Sequence, residues 1–270
     1  MLEQMKAKAK EMLASGSVTR VLGWRADDFP AMPSPAFFTT ADSLDALVYD
    51  KFAASNLSKH LINAGDGVTL VFLKPCDVFS YNQLVKENQI NPENCHIMEV
   101  DCDGNVAVDD LEDAGLLERC RVCDQAEGGD RFAGVVELEA ADADARYAFW
   151  QAHLSRCIRC NACRNVCPAC HCKKCVFDNN KYDVAQKANV TSFEEQMFHI
   201  IRAYHVAGRC TDCGECSRAC PQKIRLHLLN RKFIKDINEF FGEYQAGADT
   251  ESLGPLTNFD IDADKASLKL

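Results

Sequence analysis

Residues 157–168 read CIRCNACRNVCP, and residues 210–221 read CTDCGECSRACP. Both follow the form Cys-x2-Cys-x2-Cys-x3-Cys-Pro, so only two residues separate each of the first three cysteines. Loops this short bring sulfurs together and let backbone N–H groups turn inward towards them. The chain is therefore expected to be organised around sites that gather several thiolates.

This spacing is typical of paired 4Fe-4S clusters, in which the fourth cysteine of each run ligates the cluster of the other run. One cluster is expected on Cys157, Cys160, Cys163 and Cys220, and the second on Cys210, Cys213, Cys216 and Cys167. The shared ligands would fix the clusters close together, as an electron relay requires. Structural zinc and disulfides are the alternatives, although zinc sites use pairs of Cys-x2-Cys or include histidine.

The composition is that of an ordinary globular chain, with 270 residues, 47% of them apolar and 26% charged. This length suggests one to three domains. Sixteen cysteines would indicate a disulfide scaffold only in a small secreted protein. The first ten residues mix charges without an apolar segment after them, and no apolar run approaches the roughly 20 residues that span a bilayer. A reducing cytoplasm is the expected compartment.

The charge distribution argues against nucleic acid as a partner, because the net charge is −10 and nucleic-acid binding depends on Lys and Arg. The acidic surplus lies mainly in residues 101–113 and 137–144. Near the cysteines the sign reverses, with basic residues at Arg156, Arg159, Arg164, Lys173, Lys174, Arg202, Arg209 and Arg218. Positive charge there would offset the charge of a cluster and raise its potential. A solvated basic face is the alternative.

The N-terminal half contains a pattern that predicts a βαβ unit. A β-rich run at residues 68–74 leads through Pro75-Cys76-Asp77 into a helical stretch at 78–88, and a second strand is expected at 96–100. In open parallel sheets, ligands collect at the carboxyl ends of the strands.

Four further cysteines are predicted to meet at that edge of the sheet. Cys76 follows the first strand, Cys102 follows the second, and Cys120 and Cys123 supply a pair downstream. Four converging thiolates are enough for a third 4Fe-4S cluster. Zinc is one alternative, and inert burial of Cys76 or Cys102 is another.

Three closely spaced cysteines, Cys170, Cys172 and Cys175, follow the first run. Together with Cys95 they would complete a fourth 4Fe-4S cluster, since sixteen cysteines divide into four sets of four. A zinc site, or a three-cysteine site completed by His171 or His205, is the alternative.

Other elements are predicted from periodicity and from helix start and stop residues. Helices are expected at 2–15, 40–49, 56–64, 142–155, 192–207 and 224–241, strands at 17–24 and 135–138, and an irregular extended segment around Pro30, Pro33 and Pro35. His199 and His205 are expected to pack in the interior or face solvent. The tail from residue 242 is expected to be an extended arm that packs on a partner, or else a loose terminus.

The second run and its flanking helices resemble the α-helical two-cluster ferredoxin domain of heterodisulfide reductase small subunits and succinate dehydrogenase iron–sulfur proteins. The resemblance covers about residues 150–240 and is supported by the long spacer between the runs. It implies an electron-transfer domain.

The N-terminal half resembles the β-subunit family of deazaflavin-reducing hydrogenases and formate dehydrogenases over about residues 18–125. The matching residues are Lys74-Pro75-Cys76-Asp77, Val100-Asp101-Cys102-Asp103-Gly104 and the pair Cys120 and Cys123. This resemblance implies FAD beside a 4Fe-4S cluster, with electrons passed to or from a hydrogenase or formate dehydrogenase subunit. The chain departs from that family in two respects: the ferredoxin module follows the other domain instead of preceding it, and no Gly-x-Gly-x-x-Gly fingerprint occurs.

The predicted architecture is an α/β N-terminal domain with a parallel or mixed sheet at 1–145, a mainly α two-cluster ferredoxin domain at 146–241 and an extended arm at 242–270. The predicted function is that of an iron–sulfur electron-transfer subunit in an anaerobic hydrogenase, formate dehydrogenase or heterodisulfide-reductase-like complex. Its partners would be a catalytic subunit and a flavoprotein or ferredoxin-like carrier, and it would need no acid–base side chain. The alternatives are a flavin-containing oxidoreductase that itself exchanges hydride with deazaflavin or NAD(P), and a zinc-dependent interaction module.

Overall fold

The computed structural model describes residues 1–29, 32–107, 115–178 and 192–257. The chain divides into an N-terminal unit, Met1–Asp130 with Gly247–Thr250, and a C-terminal unit built mainly from residues 131–246. Within the described ranges, no helix is both long enough and apolar enough to cross a membrane.

The N-terminal unit is built on a mixed β-sheet. Its elements are α1 (Leu2–Ala14), β1 (Arg20–Arg25), β2 (Ser34–Phe38), β3 (Leu47–Val48), α2 (Ser58–Leu61), β4 (Thr69–Leu73), α3 (Pro75–Lys86) and β5 (Cys95–Glu99). The strand order is β2-β1-β4-β5, with β3 also paired to β1. Strands β1, β4 and β5 run parallel, whereas β2 and β3 are antiparallel to β1. The predicted α/β unit is therefore confirmed.

Strand β4 lies at the centre of this unit, and each of its residues is buried. Its apolar sequence, TLVFL, suits a strand that is covered on both faces. Helix α1 contributes Met5, Ala9 and Met12 to the same core, at the spacing that places side chains on one helix face. The buried strand β4 and its parallel pairing with β5 set the positions of the residues that follow the two strands.

Two predicted helices of the N-terminal unit are largely wrong. The segment 40–49 forms a 3-10 turn over Asp42–Ala46 and then pairs as β3 with β1. Hydrogen bonds between Thr40 and Ser43 make a local turn, with the Ser43 amide donating to Thr40 Oγ1 at 3.2 Å. The segment 56–64 contains only the single turn α2.

The segment predicted to be irregular and extended contains the edge strand β2. Pro35 of β2 pairs with Trp24, and an edge strand tolerates proline because one side of it makes no ladder hydrogen bonds. Pro30 lies outside the described residues.

The C-terminal unit is mainly helical, as predicted. Its helices are α4 (Ala133–Ala140), α5 (Ala143–Leu154), α6 (Ala162–Asn165), α7 (Ser192–Val206), α8 (Glu215–Arg218) and α9 (Leu226–Phe241). Apolar residues of α5, α7 and α9, including Leu154, Phe198 and Leu226, pack around Cys163 and Cys216. The helices thus enclose the two cysteine runs.

The strand predicted at 135–138 is wrong, because these residues lie in α4. Val135 is the buried residue of this helix. The Glu139 carboxylate of α4 pairs with Lys232 at 2.7 Å and Lys235 at 3.0 Å, both on α9. These ion pairs join α4 to α9 and stabilise this segment as a helix.

Candidate iron–sulfur centres

The two cysteine runs have the same backbone conformation. Positive φ angles occur two and four residues after the first cysteine of each run, at Arg159 (52°) and Asn161 (61°), and at Asp212 (57°) and Gly214 (72°). The short helices α6 and α8 then begin at equivalent positions. A left-handed backbone is costly for residues other than glycine, so surrounding contacts must hold these loops in shape.

Backbone N–H groups in both runs point at cysteine sulfurs. The amide of Arg159 donates to Cys157 Sγ at 3.4 Å, and the amides of Asp212 and Glu215 bond to Cys210 and Cys213. Hydrogen bonds to sulfur are among the interactions that set the potential of an iron–sulfur cluster. The short spacing between cysteines therefore has the structural effect expected from the sequence.

The first predicted ligand set surrounds one pocket. Cys157, Cys160, Cys163 and Cys220 all line it, together with Phe198, His199 and Ile224. Burial raises the pKa of the Cys163 thiol, and the neighbouring Cys220 and Cys160 raise it further, whereas Arg202 lowers it. Cysteines from both runs thus lie at one place, as the exchanged pattern requires.

The second predicted set is also brought together. Burial raises the pKa of Cys216 to about 12, and Cys167 of the first run adds to the increase. The pKa of Cys213 is raised by burial and then by Glu215, Cys167 and Cys210. These thiols are neighbours in a buried environment, where ionised sulfur requires a compensating positive charge.

A buried ion pair anchors each loop. Arg159 Nε lies 2.8 Å from Glu195 Oε1 and 3.0 Å from Oε2, and the Arg159 guanidinium stacks over the Phe198 ring at 4.4 Å. In the second run the acidic residue lies on the loop and the basic residue on the helix. The Asp212 carboxylate oxygens accept hydrogen bonds from Arg231 Nε at 2.8 and 2.9 Å. Helix α7 therefore holds the first loop and α9 holds the second.

Helix α7 carries a buried row of three polar residues, Glu195, His199 and Arg202, spaced on one helix face. Arg202 Nη2 donates to the carbonyl oxygen of Cys163 at 3.1 Å. Burial opposes its charge, but Cys167, Cys216, Cys170 and Cys163 outweigh this effect and raise the Arg202 pKa. Arg202 consequently lies within the electrostatic reach of both cysteine sets.

His199 is neutral at ordinary pH. Burial, followed by the positive charges of Arg202 and Arg159, lowers its pKa to about 3. Ligand atoms of His199, Cys157 and Glu195 lie within 4.8 Å of one another. The sequence predicted only that His199 would pack or face solvent; the available signal was its spacing from Glu195 and Arg202 on an otherwise apolar helix face.

The basic residues near the cysteines divide into two groups. Arg159 and Arg202 are buried beside sulfur atoms, whereas Arg156, Lys173 and Lys174 are exposed. Solvent exposure thus fits Arg156, Lys173 and Lys174, and an effect of Arg159 and Arg202 on a cluster stays a prediction.

In the N-terminal unit, Cys76 and Cys102 lie beyond the carboxyl ends of adjacent parallel strands. The register pairs Leu73 with Glu99, and each cysteine follows three residues later. Tyr49 links the two positions, because its hydroxyl donates to the Asp101 carbonyl oxygen at 2.6 Å. Its pKa is raised by burial, then by the nearby Cys102 and Asp77, and to a smaller extent by Cys76.

The Cys120 and Cys123 pair approaches the same region. Arg119 Nη1 donates to Cys76 Sγ at 2.9 Å, and the Asn105 amide donates to Cys120 Sγ at 3.3 Å. Burial raises the pKa of Cys76 to about 12, although Arg119 lowers it. These contacts bring the segment that carries Cys120 near Cys76, and the convergence of all four cysteines stays a prediction.

Two charged residues beside Cys76 form a buried ion pair that the sequence did not reveal. Lys74 Nζ lies 3.0 Å from Asp77 Oδ2, and both side chains are fully buried. The same ammonium donates to the carbonyl oxygens of Ala53 at 2.9 Å and Ser55 at 3.1 Å, and stacks over Trp24 at 4.4 Å. The available signal was the presence of two charges directly after a buried strand.

The last four cysteines belong to different units. Cys95 begins β5 in the N-terminal unit and is hydrogen-bonded to Tyr81. In the C-terminal unit, Cys170 packs against the cluster that contains Cys167, Cys172 is exposed, and Cys175 is hydrogen-bonded to Arg164. A fourth cluster on these residues stays a prediction.

His171 was an alternative ligand beside these cysteines, and its Nε2 lies 2.6 Å from Arg209 Nη2. A guanidinium group can only donate, so this nitrogen accepts the hydrogen bond, and a metal site completed by His171 stays a prediction.

Comparison with known proteins agrees with this geometry. Residues 153–224 match the family described as a 4Fe-4S dicluster domain, and this region contains both cysteine runs. A curated relative, the F420-dependent formate dehydrogenase subunit beta of Methanocaldococcus jannaschii, is 32% identical over 111 residues. The match covers 41% of this chain and only 28% of the relative's length. These similarities support an iron–sulfur electron-transfer role and a relationship to formate dehydrogenase β-subunits.

Proposed function

We propose that this chain is the iron–sulfur electron-transfer subunit of a multi-subunit oxidoreductase and passes single electrons between a catalytic subunit and a flavoprotein or ferredoxin-like carrier. The complex would be a formate dehydrogenase, a hydrogenase or a heterodisulfide-reductase-like assembly. The observation that carries this proposal is the pocket lined by Cys157, Cys160, Cys163 and Cys220, because it joins cysteines from both runs.

The residues around this pocket fit a 4Fe-4S cluster. Four thiols face one space, backbone amides point at sulfur atoms, and the buried imidazole of His199 has no partner among the described residues for either ring nitrogen. When bound, such a cluster supplies one-electron exchange at iron. The protein contributes ligands, hydrogen bonds, burial and nearby charge.

The chain also links its two sites structurally. Cys163 and Cys167 are four residues apart in sequence, yet they belong to different predicted ligand sets. Arg202 contacts the backbone of Cys163 and lies near Cys167 and Cys216. Adjacent sites that share one short segment and one cation support a relay within the C-terminal unit.

Two more centres are part of the proposal. Cys76, Cys102, Cys120 and Cys123 would hold a third 4Fe-4S cluster, which is supported by Tyr49 near Cys102 and Cys76 and by the contact of Arg119 with Cys76. The remaining cysteines, Cys95, Cys170, Cys172 and Cys175, would supply a fourth cluster or a zinc site. Metal analysis distinguishes iron from zinc at that centre.

An anaerobic reductive titration tests the electron-transfer role. Wild-type protein is expected to take up about two electrons per chain more than the double variant C160S/C213S, which removes one ligand from each ferredoxin-type site. Equal uptake by the two proteins would contradict the proposal.

A second candidate is favoured by the name of the relative, which describes an F420-dependent enzyme subunit. In that case the chain would bind FAD and exchange hydride with a deazaflavin or NAD(P), and the protein would supply binding and orientation for the cofactor's chemistry. Acid precipitation followed by fluorescence of the supernatant tests this candidate. Released flavin near one per chain would support it, and flavin-free protein would contradict it.

A further inference from the structure

We propose that the imidazole of His199 donates a hydrogen bond to a sulfur atom of the cluster held by Cys157, Cys160, Cys163 and Cys220, and thereby raises the reduction potential of that cluster. This inference rests on the proposed function, because it requires a cluster at the first site. His199 would thus influence the cluster without binding iron itself.

His199 is deeply buried. Its side chain is 2% exposed, and within the described part of the chain neither Nδ1 nor Nε2 has a hydrogen-bond partner. A buried polar group without a partner costs about 1–3 kcal/mol, and such groups are rare in folded proteins. Each imidazole carries at least one N–H, so this donor needs an acceptor nearby.

The position of the ring identifies the acceptor. His199 lines the same pocket as the four cysteines of the first site, and a ring nitrogen lies within 4.8 Å of Cys157 Sγ. Its charged neighbours Arg202 and Arg159 can only donate, and both carboxylate oxygens of Glu195 already accept from Arg159 Nε. Sulfur at the first site lines the same pocket and is the acceptor in this proposal.

The chemistry of Cys157 strengthens this assignment. As a thiol, Cys157 is hydrogen-bonded to the Glu195 carboxylate. As a thiolate ligand it has no proton to donate and can only accept. The Glu195 carboxylate has no proton to donate to this thiolate, whereas an imidazole N–H beside it can donate one hydrogen bond.

The expected consequence is a change in potential. Reduction adds negative charge to the cluster and its sulfurs, so a donor to sulfur stabilises the reduced state more than the oxidised state. The second site has a different side-chain donor, because Asn230 Nδ2 lies 3.6 Å from Cys216 Sγ. Loss of the His199 donor should therefore affect the first site more than the second.

The test is an anaerobic redox titration of the full chain, followed by EPR, for H199L and for H205L as the matched control. His205 lies on the same helix but is exposed, and it belongs to neither ferredoxin-type ligand set; its alternative role is at the separate site of Cys170, Cys172 and Cys175. In H199L the equilibrium constant for reduction of one cluster is expected to fall about tenfold, which corresponds to about 59 mV for a one-electron couple. H205L should leave both potentials unchanged, and H199Q, which keeps a donor, should shift the potential less than H199L.

The outcomes separate this inference from the proposed function. Wild-type protein without iron and sulfide would overturn the proposed function itself. Wild-type protein with clusters, together with unchanged potentials in both H199L and H199Q, would overturn only the hydrogen bond from His199. Loss of iron from H199L with a three-iron EPR signal would also overturn it, because His199 would then act as a ligand.

Discussion

Arg159 and Asp212 occupy equivalent positions in the two cysteine runs, both with positive φ, yet their buried ion pairs have opposite polarity. Arg159 is held by Glu195 of α7, and Asp212 by Arg231 of α9. The two loops thus share a backbone conformation but depend on different helices. This relationship allows each site to be weakened separately.

Replacement of Arg159 by methionine should weaken the first site. Removal of one partner from a buried ion pair typically costs about 3–5 kcal/mol, because the other charge stays buried without compensation. We expect R159M to lose cluster absorbance at a lower urea concentration than wild type under anaerobic conditions. The exposed neighbour gives the control R156M, which should behave as wild type; equal sensitivity of the two variants would contradict the anchoring role.

The fourth cysteine of each run is expected to bind the cluster of the other run. Serine variants should therefore fall into two groups according to the EPR component that they lose. C220S and C160S should lose the same component of the EPR spectrum, because both residues are expected at the first site. C167S and C213S should lose the other component. If C167S instead affects the same component as C160S, the fourth cysteine of each run does not cross to the other site.

Serine variants also test the third proposed cluster, in the N-terminal unit. C76S, C102S and C120S should each lower the iron content by about four atoms per chain, since one missing ligand destabilises a whole cluster. Iron and acid-labile sulfide analysis of anaerobically purified variants measures this. Unchanged iron in C76S would mean that Cys76 is an inert buried cysteine.

The buried pair of Lys74 and Asp77 should stabilise the N-terminal unit. K74M leaves the Asp77 carboxylate buried without its cation, and we expect a loss of about 3–5 kcal/mol in the free energy of unfolding. The exposed pair Lys8 and Glu11 provides the control K8M, for which a loss below about 1 kcal/mol is expected. In a W150F background, Trp24 is the remaining tryptophan and reports urea unfolding of this unit by fluorescence.

A similar unfolding midpoint for K74M and K8M would show that the buried pair of Lys74 and Asp77 does not stabilise the N-terminal unit. In the double variant K74M/D77L no charge of this pair remains, so part of the lost stability should return.

The sequence was most informative where covalent spacing limits geometry. Two residues between cysteines leave little freedom, so the ligand sets around Cys163 and Cys216 could be inferred from the spacing alone. Likewise, the buried run of β4 followed by Pro75 and Cys76 predicted a strand, a turn and a helix. The mixed sheet and the mainly helical second unit follow from these short-range patterns.

The sequence was less informative where tertiary contacts decide the outcome. Val135 and Val136 favour a strand locally, but contacts of Glu139 with Lys232 and Lys235 stabilise α4 as a helix. The buried polar row on α7 was missed for the same reason. A histidine on an apolar helix is usually a packing residue, and only the folded chain reveals the cysteines that His199 faces.

The most direct test is the amount of iron and acid-labile sulfide per chain in anaerobically purified protein. We predict at least about eight irons and eight sulfides, and about twelve of each if the N-terminal centre also holds a cluster. A chain that contains neither iron nor sulfide, or that contains only zinc, would contradict the central claim that these cysteines hold 4Fe-4S clusters for electron transfer.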